Sequence, residues 1–357
     1  MSLQESQNTI IQDDVQCVAK KFADQAKIFA NKSVLITGAT GLVGKHLVLS
    51  LLSLARLNRI NLVVIAQGRS LGKLEQTFQD VTNNKNLYLW QTNLFEKLDP
   101  PCSVNYVIHA ACPTSSKDFI EKPIGVIDSI YQSTLNILDL CSSQRVESCV
   151  YLSSMEVYGQ MTLDKPISES DCGQLDILSP RSSYPQAKRI AELLCSSFAK
   201  EKNVPVKIAR LSMVYGPGMP KNDKRVLNYF VNQIINKQEI ALQTAGKSKA
   251  SVLYTRDAVE GIITLLLSTR NAEAFNLANP NNYYSILEMA NIASSIGSVP
   301  VTIEKSECQQ IAQYRNDNFL NLNISKMNEL GWFPNVTLEK VFLRTVLSHS
   351  NKSKGEL

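Results

Sequence analysis

The stretch Ser33–Leu52, SVLITGATGLVGKHLVLSLL, decides the architecture. Its opening, SVLITG, is a short apolar run that reads as a buried strand. The continuation, GKHLVLSLLSLARL, carries apolar residues at helical spacing. Between them Gly38, Gly41 and Gly44 stand in a GxxGxxG pattern, and strand, glycine turn and helix in that order predict a dinucleotide site. Glycines permit the tight turn, let the backbone approach a pyrophosphate, and let helix and strand pack closely. The helix then offers free N–H groups and a partial positive charge at its N-terminus. Thr40, Leu42 and Val43 complete the predicted cradle.

Downstream the alternation continues. INLVVIA, NLYLWQT, VNYVIHAA, SCVYLSS and PVKIARLSMVYG read as strands, and GVIDSIYQSTLNILDLCSSQ and SYPQAKRIAELLCSSFAKEKN as helices. Such alternation predicts an α/β fold, a Rossmann-type doubly wound parallel sheet over 32–216 with both faces covered. After about residue 216 the rhythm loosens. KRVLNYFVNQIINKQ, TRDAVEGIITLLLST and SILEMANIASSIG read as helices, joined by the short strands AFNLA and VPVTI. These predict a smaller C-terminal α/β substrate lobe, mainly 217–349, before a polar tail at 350–357. Residues 1–31 predict a helical extension: a polar, frayed start, then one amphipathic helix behind Asp13 and Asp14 as N-cap, packed on the main domain.

Composition narrows the class. The chain has 357 residues, 44% hydrophobic and 19% charged, as a soluble globular protein does. Its net charge of +5 is spread without basic blocks, which predicts neither a nucleic-acid nor a membrane partner. No apolar run reaches the ~18 residues of a bilayer span, and the N-terminus lacks a signal-peptide layout, so the expected location is cytoplasmic. Eight cysteines include no CxxC pair and no metal-like spacing with the three histidines. Most are expected as reduced core residues, with no metal site.

A carboxylate that holds a ribose 2′-OH would end the second strand. INLVVIAQGRS instead has Ala66 and Gln67 there, followed by Arg69 and Lys73. A guanidinium suits a 2′-phosphate, so the expectation favours NADP over NAD. Asn93 and Leu94, ending the third strand, are placed at the adenine edge. Ala110 and Ala111 of HAAC, ending the fourth, are small residues where a cofactor must pass. His109 reads as a packed or cofactor-lining residue.

SYPQAKR sets Tyr184 and Lys188 four apart, hence on one helix face. A phenol near pKa 10 is a poor base at neutral pH, but an adjacent ammonium and a positive nicotinamide favour its phenolate. Such a tyrosine can take a proton from a substrate hydroxyl as hydride leaves the same carbon. Ser154, at a strand end, would orient that hydroxyl, and Glu156 stands two residues further on as a second proton carrier.

The order TGATGLVG, HAAC, SSMEVYG, SYPQAK and ARLSMVYGPG resembles the extended short-chain dehydrogenase/reductases, over about residues 32–345. That resemblance implies an NAD(P)-dependent enzyme acting on a nucleotide-activated sugar. It also implies a homodimer formed by the helix around Ile127–Leu140 and the helix carrying Tyr184. HAACPTSS, SPRSSYPQAKR and MPKNDKRVLNYF are similar to UDP-glucuronate decarboxylases, and the dTDP-glucose dehydratase branch lies near. On this basis Cys112, Arg181 and Arg225 are candidate substrate contacts, and Lys221, Lys247, Lys249 and Arg256 are basic residues near the expected mouth.

Three departures matter. Dehydratases of the family carry an acid between hydroxyl and glutamate; here Met155 stands there, and a thioether is no general acid. The family's phosphate- or carboxylate-binding arginine, seven residues before Asp257, is Ala250. The usual asparagine of RxxNVYGP is Met213. The resulting expectation is an NAD(P)-dependent oxidoreductase/epimerase that transiently oxidises a nucleotide sugar, typically at C4. Alternatives are a decarboxylase or dehydratase and, outside enzymes, a dinucleotide-sensing regulator, which would have no need of a tuned phenol.

Overall fold

The computed structural model describes residues 3–113, 116–303 and 317–350; Cys308 and nearly all of the predicted polar tail lie outside them. The strands of the first half are β1 (Lys32–Thr37), β2 (Leu62–Gly68), β3 (Leu87–Gln91), β4 (Tyr106–His109), β5 (Ser148–Ser154) and β6 (Pro166–Ile167). Then come β7 (Val206–Leu211), β8 (Met213–Tyr215), β9 (Ile240–Leu242) and β10 (Lys249–Tyr254). The last four are β11 (Ala274–Leu277), β12 (Tyr283–Ser285), β13 (Val301–Ile303) and β14 (Phe319–Leu322). The helices begin with α1 (Leu3–Lys21), α2 (Leu42–Asn58), α3 (Leu71–Phe78), α4 (Ser116–Glu121), α5 (Pro123–Gln144) and α6 (Ser183–Lys202). They continue with α7 (Val226–Asn236), α8 (Thr255–Leu267), α9 (Ile286–Gly297), α10 (Ser325–Glu329) and α11 (Leu338–Ser350).

Seven strands form one sheet in the order β3-β2-β1-β4-β5-β7-β11, every neighbouring pair parallel. The central strands are apolar throughout because both faces are covered. On one face α2, α3 and α8 bury Leu47, Leu51, Phe78 and Ile262 against Val34, Ile36 and Val64. On the other, α5 and α6 bury Ile137, Leu138, Ala187 and Ala191 against Leu35, Val107 and Tyr151. The strand order reverses between β1 and β4. In such sheets a ligand cleft lies at the carboxyl ends of those strands.

The remaining strands form a smaller sheet, β12-β10-β14-β6 with β8 on β10, and a β13-β9 pair. With α7, α9 and α11 they enclose a third core around Phe230, Val252, Met289 and Phe342. Two readings change here. PVKIARLSMVYG, expected as one strand, divides at Ser212: β7 stays in the large sheet and β8 enters the small one. AFNLA, expected in the lobe, is β11 and closes the edge of the large sheet on β7. A short apolar run does not specify which sheet receives it.

The N-terminal helix also differs from expectation. It begins at Leu3, so Asp13 and Asp14 lie inside it and are no N-cap. Val15, Val18 and Phe22 pack it onto the body, where it meets α2, α8 and α11. Asp14 is 2% exposed. It accepts from Tyr254 Oη at 2.6 Å and Arg344 Nη2 at 3.0 Å, while Arg344 Nε donates to Tyr254 Oη at 2.7 Å. Lys21 adds an ion pair to Glu260 at 2.6 Å. Of the seven described cysteines, Cys141, Cys149 and Cys195 are buried, whereas Cys17, Cys102 and Cys172 are exposed, so the expected core majority does not hold.

Candidate active site

The glycine turn closes against two backbones. Gly38 has φ +64°, and a Cβ there would lie 2.8 Å from the Ala111 Cα. A Cβ on Gly44 would lie 2.3 Å from the Gly38 carbonyl oxygen and 2.9 Å from the Ala39 Cα. Gly41 is the N-cap of α2, whose first N–H groups, on Leu42 and Val43, have no carbonyl inside the helix to reach. Thr40 sits in the same turn. These features fit a dinucleotide pyrophosphate: backbone donors at a helix N-terminus, and no side chain to keep the ligand away.

The turn is braced from two sides. Thr37 Oγ1 accepts from the Ala110 and Ala111 N–H groups, both at 3.1 Å, so its own proton goes to His109 Nδ1 at 2.7 Å. Burial, with Lys188 adding to it, pushes His109 down to about 3. His109 is therefore a neutral strut between β1 and β4. On the other side Gln67, fully buried, accepts from Gly38 N–H at 3.2 Å and donates to the Thr92 carbonyl at 2.8 Å. Both ends of its amide are engaged. Beyond it an open groove is lined by Arg69, Gln91, Thr92, Asn93, Phe95 and Glu96. Arg69 is exposed and has no acidic partner among the described residues. Asn93 donates to Glu96 at 3.0 Å, and Leu94 is buried beneath, its carbonyl bonded to Asn136.

At the end of β5 the residues expected to move protons lie together. Tyr184, on the first turn of α6, has Ser154 and the Cys112 thiol among the side chains that act on its phenol. Lys188, one turn along, is 2% exposed. Its ammonium donates to the Leu152 carbonyl at 2.7 Å and lies 4.6 Å from the Tyr151 ring centroid and 5.9 Å from that of Tyr184. Burial pushes the Tyr184 phenol well above its ordinary range; the Cys112 thiol raises it further, Ser154 lowers it, and Glu156 raises it. Burial likewise raises Cys112, against the pull of Lys188 and Tyr184. Burial, the largest of these influences, favours the protonated phenol, and a positive charge placed beside it would act in the opposite direction. Glu156, in the short helical turn after β5, pairs with Arg181 at 3.7 Å. Ser154 caps that turn by accepting from the Glu156 N–H at 3.2 Å.

Most of the other basic candidates are engaged elsewhere. Arg225 bonds its own loop, to Asp223 at 3.0 Å and Met219, and no contact brings it to Tyr184. Lys249 pairs with Asp164 at 3.0 Å, and Arg256 with Asp257 and Glu260 at 3.4 and 3.6 Å. Lys247 and Lys221 are exposed. Ala250 is buried in β10. Two features had no sequence signal. One is Phe119 of α4, whose ring stacks on Tyr184 at 4.3 Å and 11°. The other is Arg210, which clamps Glu192 at 2.7 Å and holds Tyr158 Oη at 3.0 Å behind the site.

A sequence model described as the NAD dependent epimerase/dehydratase family matches residues 34–278, more than half of the chain. The chain belongs to the NAD-dependent epimerase/dehydratase family. The matched span runs from β1 to the residue after β11, so the chain carries α1 ahead of it and the helices α9–α11 behind. The protein is 31% identical over 326 residues to UDP-glucuronic acid decarboxylase 1 of Arabidopsis thaliana, covering 90% of this chain and 71% of that one. A Xenopus tropicalis UDP-glucuronic acid decarboxylase 1 is 29% identical over 317 residues, covering 88% and 71%. A dTDP-glucose 4,6-dehydratase structure from Streptomyces venezuelae, with NAD bound, superposes with TM-score 0.76 at 20% identity, covering 90% of this chain and 98% of that one. A UDP-glucuronic acid 4-epimerase from Bacillus cereus gives 0.71 at 20%, covering 90% and 99%. Among the described residues no helix is long and apolar enough to cross a membrane, and no cluster of ligating side chains forms a metal site.

Proposed function

We propose that this enzyme transforms a nucleotide-activated sugar by transient oxidation at a ring carbon, typically C4, with epimerisation as the outcome. The observation that carries the reading is the convergence of Ser154, Tyr184, Lys188 and Glu156 at the end of β5, beside the cradle of Gly38, Gly41 and Gly44. A bound dinucleotide supplies the hydride acceptor and a positive ring. Ser154 orients the sugar hydroxyl, Tyr184 takes its proton and later returns it, and Lys188 lowers the cost of the phenolate. Glu156 is placed to move a proton at the neighbouring carbon, its charge balanced by Arg181. Met155, packed against the core, offers no acid for dehydration.

A second reading, decarboxylation of a nucleotide-linked uronate, is favoured by the 31% identity to a UDP-glucuronic acid decarboxylase. A β-keto acid loses carbon dioxide without an acid at position 155. For the cofactor we infer NADP over NAD, because Gln67 is committed to Gly38 and Thr92 and Arg69 edges the adenosine groove. Homodimerisation through α5 and α6 fits the apolar side chains exposed there, among them Ile124, 81% exposed, and Leu193, 66% exposed. A cytoplasmic location remains part of the proposal.

The test is turnover of a nucleotide-sugar panel, followed by product mass and cofactor absorbance. An isomer of unchanged mass supports epimerisation; loss of carbon dioxide supports the second reading. Tyr184→Phe is expected to lower kcat about 10²–10⁴-fold, the range of general acid–base catalysis, and to leave the cofactor Kd within about threefold. If wild type and Tyr184→Phe bind cofactor alike and no sugar reacts with either, the reading fails.

A further inference from the structure

We propose that Phe119 is a positioning residue of this site: its ring sets the plane of the Tyr184 phenol and, through Arg181, ties that phenol to Glu156. The inference rests on the functional reading above. Phe119 lies on α4, outside the strand-end and helix positions from which the acid–base residues come. Its ring is nearly coplanar with that of Tyr184, 11° apart with centroids at 4.3 Å. The Arg181 guanidinium carbon lies 5.3 Å from the same ring's centroid, and the Arg181 Nη2 is 3.7 Å from Glu156 Oε2. Ser183 Oγ, beside Tyr184, donates to the Phe119 carbonyl at 3.0 Å, which fastens α4 to the start of α6. One aromatic residue therefore touches both the phenol and the cation that holds the carboxylate.

Two consequences follow from the contact. A phenol's oxygen moves on an arc when its ring tilts, and an error near 1 Å in a reacting group can cost about 10²-fold in rate. A flat stack opposes that tilt. The ring also excludes water from the phenol, and burial is the largest influence raising its pKa. The groups facing Tyr184 are Lys188 from α6, Cys112 from the end of β4, Tyr151, Ser154 and Glu156 from β5 and its following turn, with Arg181 beyond Phe119. All are retained when only Phe119 is changed.

The experiment compares Phe119→Leu, which fills much of the volume without a ring, with Phe119→Tyr, which keeps the stack. Phe119→Leu is expected to lower kcat about 10- to 100-fold, with KM and cofactor Kd within about threefold, while Phe119→Tyr stays within about threefold of wild type. Loss of the ring admits water, so the acid limb of the kcat–pH profile moves to lower pH in Phe119→Leu only. The same shift is read without turnover by ultraviolet difference titration of the phenolate, with Tyr184→Phe as blank. If the leucine variant does not fold, Phe119→Met takes its place. A kcat within threefold of wild type together with an unmoved phenol titration overturns the proposal. If wild type turns over no nucleotide sugar, the functional reading fails while the titration still decides the role of Phe119.

Discussion

The cofactor cradle gives a prediction whose size follows from the coordinates. In Gly44→Ala the new methyl would sit 2.3 Å from the Gly38 carbonyl oxygen, where ordinary contact begins at 3.4 Å. Both neighbours are backbone atoms, so no side chain can swing aside; the first turn of α2 must move away from the loop by about 1 Å, the difference between those distances. An N–H···O bond near 2.9 Å lengthened by that much is no longer a hydrogen bond. Losing one or two bonds to a charged phosphate, at about 1.5–3 kcal/mol each, weakens dinucleotide binding roughly 10- to 10⁴-fold. Thermal stability is a poor readout, because alanine in a helix gains about 1 kcal/mol over glycine and offsets part of the strain. Fluorescence titration with the reduced cofactor measures the Kd directly. Gly125→Ala serves as control, since a Cβ there meets nothing within 4 Å. A Gly44→Ala Kd within threefold of wild type would refute the close-approach argument.

Two further outcomes can be checked with the same protein. Arg69→Ala is expected to weaken NADPH at least about tenfold while leaving NADH within about threefold, in parallel titrations, because only the phosphorylated ribose presents a charge to the guanidinium; equal losses would remove the case for a 2′-phosphate. Glu273 is held down to about 2, first by its hydrogen bond to Arg270 and then, against partial burial, by Lys326. Its depressed value means that it contributes stability above the ordinary carboxylate pKa and loses that contribution as pH falls from 4.5 toward 2. In thermal melts across that window, Glu273→Gln should show a shallower decline than wild type.

The strand, glycine turn and helix at the head of the chain were legible because each demands a different residue type within twenty positions. Tyr184 and Lys188 were legible as a pair because helical spacing fixes their shared face. Other features depend on what arrives from far along the chain. Asp14 looks like a cap in sequence, since a carboxylate before an apolar periodic run is the usual signal. Tyr254 and Arg344, more than two hundred residues away, make it a buried partner. Gln67 reads as a missing acid, yet the structure uses both ends of its amide to brace the turn. Phe119 has no motif at all, because a stacking ring is defined by the plane of its neighbour. The surroundings of the basic candidates were hidden for a related reason: a lysine or arginine near the cleft in sequence does not reveal the carboxylate it pairs with, as Lys249 pairs with Asp164 and Arg225 with Asp223.

The docking of α1 bears on how this enzyme can be cut. A recombinant fragment trimmed to the span that the family model matches, 34–278, discards both Asp14 and Arg344 and leaves the Tyr254 hydroxyl stranded. The outer side of α2 that Val15, Val18 and Phe22 help to cover would then face water, an oily strip next to the cofactor entrance. The homologous core is thus not a self-sufficient piece of this molecule, and expression trials should keep the leading helix.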